Sequence, residues 1–123
     1  RDLASTHGLL LFLSSTNGLN GGSALSGPAY ASAKAALINL CRYLTKEWGR
    51  DGIRVNCVAP GPVETRMLDR LSDTEKEQLR AKSCLERIAT PEEVAAAIAY
   101  LSSPAAKGIT GTVMNVSAGL LLD

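Results

Sequence analysis

Tyr30 and Lys34 stand four residues apart, the interval at which two side chains share one face of an α-helix and their heads can converge. A phenol gives up its proton only well above neutral pH, and an ammonium beside it favours the phenolate. General acid–base catalysis gains as the donor is tuned toward the working pH. Upstream, Ser14 and Ser15 close an apolar run. A serine hydroxyl there can donate a hydrogen bond to a substrate oxygen. Phenol, ammonium and hydroxyl together make a proton-transfer site for a carbonyl/alcohol pair.

Other chemistries find little support. His7 is the only histidine, and standing before a strand it reads as a surface or satisfied residue rather than a ligand or base. No metal site is expected. Cys41, Cys57 and Cys84 form no CxxC pair and no disulfide framework, so they read as small core fillers in a reducing compartment. A serine hydrolase would need G-x-S-x-G or S-x-x-K, and neither occurs. Thirteen basic against twelve acidic residues leave a net charge of +1, and aromatic residues are only 4%. Neither the phosphate-neutralising surplus nor the stacking platforms of a nucleic-acid binder are present. No apolar stretch approaches the ~20 residues of a bilayer helix, so a cytoplasmic setting is expected.

The 123 residues, 46% hydrophobic and 20% charged, suit one domain with a core of its own. His7–Ser14 reads as a buried parallel strand. Asn17–Gly27, with four glycines, reads as a loop over a site; it has neither the Lys-Ser/Thr of a P-loop nor a GxGxxG in position. Pro28 opens a long helix with Tyr30, Ala33, Leu37, Leu40, Cys41 and Leu44 at helical spacing, stopped near Gly49. Arg42, Lys46 and Arg50 would form its solvated face.

Ile53–Ala59 is the second strand. Glu64–Ser72 and Thr74–Lys82 are two short, polar helices. Thr90 and Glu93 form a capping box for a helix opening on Pro91, with Val94, Ala97, Ile98 and Leu101 as its apolar face. Gly111–Val116 is the third strand. Strands separated by helices imply a parallel α/β sheet covered on both faces, with ligands bound beyond the carboxyl ends of the strands. Ser14–Gly22, Ala59–Thr65 and Val116–Gly119 are the loops at those ends.

Several of these blocks together resemble one family. Ser14-Ser15-Thr16-Asn17-Gly18, Tyr30-Ala31-Ser32-Ala33-Lys34 and Asn56-Cys57-Val58-Ala59-Pro60-Gly61 are similar to the S-S-x-x-G, Y-x-x-x-K and N-x-x-x-P-G motifs of the short-chain dehydrogenases/reductases. Pro91–Ala95, Ile109-Thr110-Gly111 and Val116–Gly119 resemble three later blocks in the same order. The general look is that of β-ketoacyl-carrier-protein reductases and related carbonyl or alcohol dehydrogenases.

The resemblance implies roles. Tyr30 matches the catalytic acid/base, and Lys34 the lysine that activates it and hydrogen-bonds the nicotinamide ribose. Ser15 matches the serine that orients the carbonyl, with Ser14 as the alternative. Pro60, Gly61, Val63 and Thr65 match the segment that holds the nicotinamide, and Asn56 a structural position. The cofactor would be NAD or NADP. The substrate would be a small carbonyl/alcohol compound or an acyl-carrier thioester, and the complete enzyme a homo-oligomer, dimer or tetramer.

Three departures stand out. The Ser15-to-Tyr30 interval is longer than in the family. Ser117-Ala118 replaces the usual Asp/Asn-Gly, with consequences for a turn or a subunit contact. The family's dinucleotide fingerprint has no counterpart, so residues 1–123 are expected to be one partial Rossmann-type domain, the C-terminal half of a doubly wound parallel sheet. A chain opening on Arg1 is expected to continue upstream. The competing reading is a truncated, catalytically silent α/β module that binds a partner chain through an uncovered sheet edge.

Overall fold

The computed structural model describes residues 8–123; His7 lies outside that range. In chain order come β1 (Leu9–Leu13), a one-turn helix α1 (Asn17–Asn20), the long helix α2 (Pro28–Trp48), β2 (Arg54–Pro60), α3 (Asp73–Lys82), α4 (Pro91–Ser102) and β3 (Val113–Val116). Short 3₁₀ turns follow α2 and α4, and another occupies Arg66–Arg70.

The strands form a parallel sheet in the order β1-β2-β3. Leu9 pairs with Arg54 and Leu13 with Val58, while Cys57 pairs with Val113 and Pro60 with Val116. Every residue of β2 from Val55 to Ala59 is buried. Successive side chains of a strand point to opposite faces, so both faces of β2 are covered. On one of them Val55 and Cys57 pack with Ile38 and Cys41 of α2, flanked by Leu10, Phe12, Leu44 and Trp48. Helix α4 packs on the sheet as well, with Leu101 fully buried.

Asn56 is the polar exception inside this strand. Its Nδ2 donates to the Ile109 carbonyl at 2.9 Å and its Oδ1 accepts from the Thr112 amide at 3.1 Å. Gly111 N donates to Val55 O at 2.7 Å, and the Thr110 hydroxyl accepts from Val55 N at 3.0 Å. The segment leading into β3 is thus fastened to β2 before the strand begins. A buried amide is tolerable only when its donors and acceptors are met, and here both ends are.

Differences from the sequence-based expectation have physical reasons. Asn17–Gly27 is not wholly loop, since its first four residues make α1, a single turn too short for periodicity to register. Glu64–Ser72 shrinks to the 3₁₀ turn at Arg66–Arg70, whereas α3 starts one residue earlier on a Ser72–Glu75 capping box. The inward stripe of α2 is also rotated. Ala31, Ile38 and Cys41 are buried, while Tyr30 and Leu40 are exposed. Apolar residues run most of the way round this helix, so spacing alone could not single out the core side. The face expected for α4 faces inward as read.

Candidate functional site

The carboxyl end of β1 runs into Ser14, Ser15 and Thr16, all buried. Ser14 N donates to Val58 O at 2.8 Å and Thr16 N to Pro60 O at 2.9 Å, so the ladder continues past the strand and seats this turn beside the end of β2. The two serines differ in what their hydroxyls do. Ser14 Oγ donates to the Lys34 carbonyl at 2.6 Å. Ser15 Oγ accepts from the Asn17 amide at 3.1 Å, which leaves its own proton without an acceptor among the described residues.

Gly18 explains how the turn and α2 come so close. A Cβ at that position would lie 2.7 Å from the carbonyl carbon of Lys34 and 2.8 Å from the amide nitrogen of Ala35. Both are backbone atoms that cannot swing aside. The absence of a side chain lets α1 lie directly on α2 at the level of Lys34.

Lys34 is held at both ends. Its carbonyl takes the Ser14 hydroxyl, and its Nζ donates to Leu13 O at 3.1 Å. The same Nζ lies 5.5 Å from the centroid of the Tyr30 ring, within the range of a cation–π contact. An ammonium has three N–H donors; one is used on Leu13. Tyr30 is 46% exposed, and its hydroxyl has no hydrogen-bond partner among the described residues. The structure therefore brings Ser14, Ser15, Lys34 and Tyr30 to one sheet end.

Pro60 ends β2, and Gly61, Val63 and Thr65 occupy the loop beyond it. Gly61 N donates to Val116 O at 2.9 Å, and a Cβ on Gly61 would come within 2.8 Å of the Ser117 Cβ. The ends of β2 and β3 thus abut. Val63 forms a parallel bridge with Ala89, and Glu64 N donates to Ala89 O at 2.9 Å. Thr65 is extended and exposed at the start of the 3₁₀ turn. Among the described residues no hydrogen bond joins Val63 or Thr65 to Tyr30, Lys34 or Ser15.

A pairing absent from the sequence reading lies next to the Ala89 segment that this loop bridges. Arg87 Nη1 and Nη2 donate to Glu93 Oε1 and Oε2 at 2.7 and 2.6 Å. Glu93 Oε1 also accepts from Thr90 N at 2.9 Å, completing the expected capping box. The box was legible from T-P-E-E; the arginine three residues before Thr90 carried no signal of its own. The Arg87 guanidinium, with help from the Thr90 amide, holds the Glu93 carboxyl down to about 2 from the usual 4.5. A carboxyl lowered on folding stabilises the fold above its ordinary range. This contribution fades as pH falls from about 4.5 toward 2.

The cysteines divide. Burial raises the Cys41 thiol, and desolvation with the neighbouring Cys41 pushes Cys57 up to about 11, so both are core thiols. Cys84 is exposed, contrary to the core-filler expectation. Arg42, Lys46 and Arg50 are exposed, as expected of a solvated face. Among the described residues no cluster of His, Cys, Asp or Glu could hold a metal, and no helix is long and apolar enough to cross a membrane.

The substituted turn after β3 keeps a glycine-like shape. Ala118 adopts φ 55, followed by Gly119 at φ 79, and Leu85 N and Cys84 N donate to Ala118 O and Gly119 O at 3.1 and 3.2 Å. Left-handed backbone costs a residue with a Cβ roughly 1–2 kcal/mol. Ala118→Gly is accordingly expected to raise stability by about 1 kcal/mol, seen as a higher urea midpoint with an unchanged slope.

Comparison with known proteins decides the family. The family profile described as "Enoyl-(Acyl carrier protein) reductase" matches residues 1–121. A crystal structure of an oxidoreductase of the short-chain dehydrogenase/reductase family from Burkholderia thailandensis is 41% identical, with a TM-score of 0.84 over 97% of this chain and 47% of that one. The chain belongs to the short-chain dehydrogenase/reductase family. Among other relatives of this reductase-family chain, 3-oxoacyl-[acyl-carrier-protein] reductase FabG of Chlamydia muridarum is 41% identical over 92% of this chain and 45% of its own length. The 3-oxoacyl-[acyl-carrier protein] reductase structure from Brucella melitensis superposes with a TM-score of 0.92 at 28% identity, covering 99% of this chain and 46% of that one. The short-chain dehydrogenase/reductase chain described here spans about half the length of the curated relatives it matches.

Proposed function

We propose that this chain supplies the catalytic half of an NAD- or NADP-dependent oxidoreductase acting on a carbonyl/alcohol pair. The observation that carries the reading is the placement of the Lys34 ammonium between the Leu13 carbonyl and the Tyr30 ring, at the carboxyl end of a parallel sheet. The donor set fits a nicotinamide ribose: two N–H groups of Lys34 and the Tyr30 hydroxyl are uncommitted among the described residues and can meet a vicinal diol. The nicotinamide, when bound, supplies or accepts the hydride. Tyr30 gives the proton that the oxygen of a reduced carbonyl needs, or takes it back in the alcohol direction. Ser15 orients that oxygen through its uncommitted O–H. Pro60, Gly61, Val63 and Thr65 line the nicotinamide side. An acyl-carrier thioester or a small ketone is the substrate class, in a homo-oligomeric, cytoplasmic enzyme.

The two serines provide the test. Ser15→Ala removes the donor to the substrate oxygen and is expected to lower kcat by about 10²–10³-fold, the usual loss for one oxyanion donor. Ser14→Ala removes the hydrogen bond that its hydroxyl adds to the Lys34 carbonyl, which is expected to lower stability by about 1 kcal/mol with a far smaller loss of turnover. Hydride transfer followed by nicotinamide absorbance, in the complete enzyme that carries this chain, distinguishes them. Equal losses in the two variants would remove Ser15 from its role.

A further inference from the structure

Residues 84–89 form a strap across the ends of two strands. At one end Cys84 and Leu85 donate to Gly119 and Ala118 beyond β3; at the other Ala89 bridges Val63 and its carbonyl accepts from Glu64 N at 2.9 Å beyond β2. Ile88 and Ala89 are buried, and Glu86 makes the intervening bend at φ 56, its amide donating to Ser83 O at 2.8 Å. Beyond the chain itself, which runs from Ala89 straight into the Thr90 cap of α4, the strap is tied to the first turn of that helix by the two-armed contact of Arg87 with Glu93, at 2.7 and 2.6 Å.

Exposed ion pairs usually contribute little, because two long side chains must be frozen and water screens the charge. The exception is a bidentate guanidinium–carboxylate pair, whose parallel hydrogen bonds fix geometry as well as charge. Glu93 is already held by the Thr90 amide, so the acceptor is pre-set and only Arg87 must be ordered. The capping box is complete without Arg87. Helix stability therefore does not explain the fork.

We propose that Arg87 is a positioning residue for the cofactor loop: its fork on Glu93 fixes the strap, and the strap fixes the Val63 and Glu64 backbone at the height a nicotinamide requires. This rests on the reading of Val63–Thr65 as part of the nicotinamide side. Among the described residues Arg87 makes no hydrogen bond to Ser15, Tyr30 or Lys34. It acts through Ala89.

The test is Arg87→Ala in the complete enzyme, read by amide hydrogen exchange and by steady-state kinetics. Exchange reports local opening, so each segment can be judged separately. The Glu64 amide is expected to exchange about tenfold faster while amides within α4 keep their protection, and KM for the nucleotide is expected to rise about 2- to 30-fold with kcat falling much less. Loss of uniform binding has that signature. Arg87→Lys, which keeps the charge and loses the fork, should recover part of the effect. Glu93→Gln retains a capping side chain and should reproduce the exchange change.

Unchanged exchange at Glu64 would overturn the proposal. So would faster exchange with an unchanged KM, or loss of protection along the whole of α4. Those results leave the proton-transfer assignment standing, because Tyr30→Phe tests it separately.

Discussion

Tyr30→Phe is expected to lower turnover by about 10²–10⁴-fold, the range that a positioned acid or base contributes, while nucleotide affinity stays largely intact. The substitution removes one oxygen and keeps the ring. Tyr30 is 46% exposed and lies outside the buried set on α2, so the core does not feel the change. The ring also keeps its place beside Lys34 Nζ, 5.5 Å from the centroid. What goes is the transferable proton. Lys34→Ala should do more widespread harm, lowering both turnover and nucleotide affinity. It removes the ammonium beside the Tyr30 ring and also the donors proposed for the ribose. Its tether to Leu13 O is lost as well. Single-turnover hydride transfer and nucleotide titration separate the two variants. Wild-type turnover in Tyr30→Phe would end the assignment.

Much of this arrangement was legible in the residues because the signals were local. Pro28 and the capping box at Thr90 mark helix starts by backbone chemistry that needs no tertiary context. The apolar run at Leu9–Leu13 carries its strand in the same way, and so does the largely apolar Val55–Ala59, interrupted only by Asn56. The pairing of Tyr30 with Lys34 follows from helix geometry alone. Features that needed contact across the chain were not legible. Ser14 and Ser15 are the same residue type side by side, and only the 2.6 Å bond from Ser14 Oγ to the Lys34 carbonyl shows which hydroxyl is committed. Gly18 stands out in the sequence as the glycine of the S-S-x-x-G block, but why that position takes no side chain shows only where the Lys34 and Ala35 backbone lies beside it. Arg87 is an unremarkable surface cation until Glu93 is placed opposite.

Residues 1–123 expressed alone are expected to self-associate and to show no NAD(P)H turnover. The argument starts from β1. It occupies one edge of the described sheet, and its five residues, Leu9-Leu10-Leu11-Phe12-Leu13, are all apolar. None of them is fully buried, and Leu13 is 47% exposed. In β2, by contrast, five successive residues are buried. A strand as apolar as β1 normally has a neighbour on each side and cover on each face. Left with a bare edge, it offers a row of unpaired amides and carbonyls beside a continuous apolar surface, which is a template for pairing between chains. The segments that the family resemblance assigns to adenosine and pyrophosphate have no counterpart in these 123 residues, so nucleotide would meet only the nicotinamide end of its site. Sedimentation should show species heavier than a monomer, growing with concentration. Calorimetry should show no nucleotide binding at micromolar concentrations. A monomer that binds NAD(P)H at that level would mean that Lys34, Tyr30 and the loop beyond β2 hold the cofactor without the other half of the fold. A concentration-dependent assembly that dissolves when the matching half of a relative is supplied would instead identify β1 as the seam between the two halves.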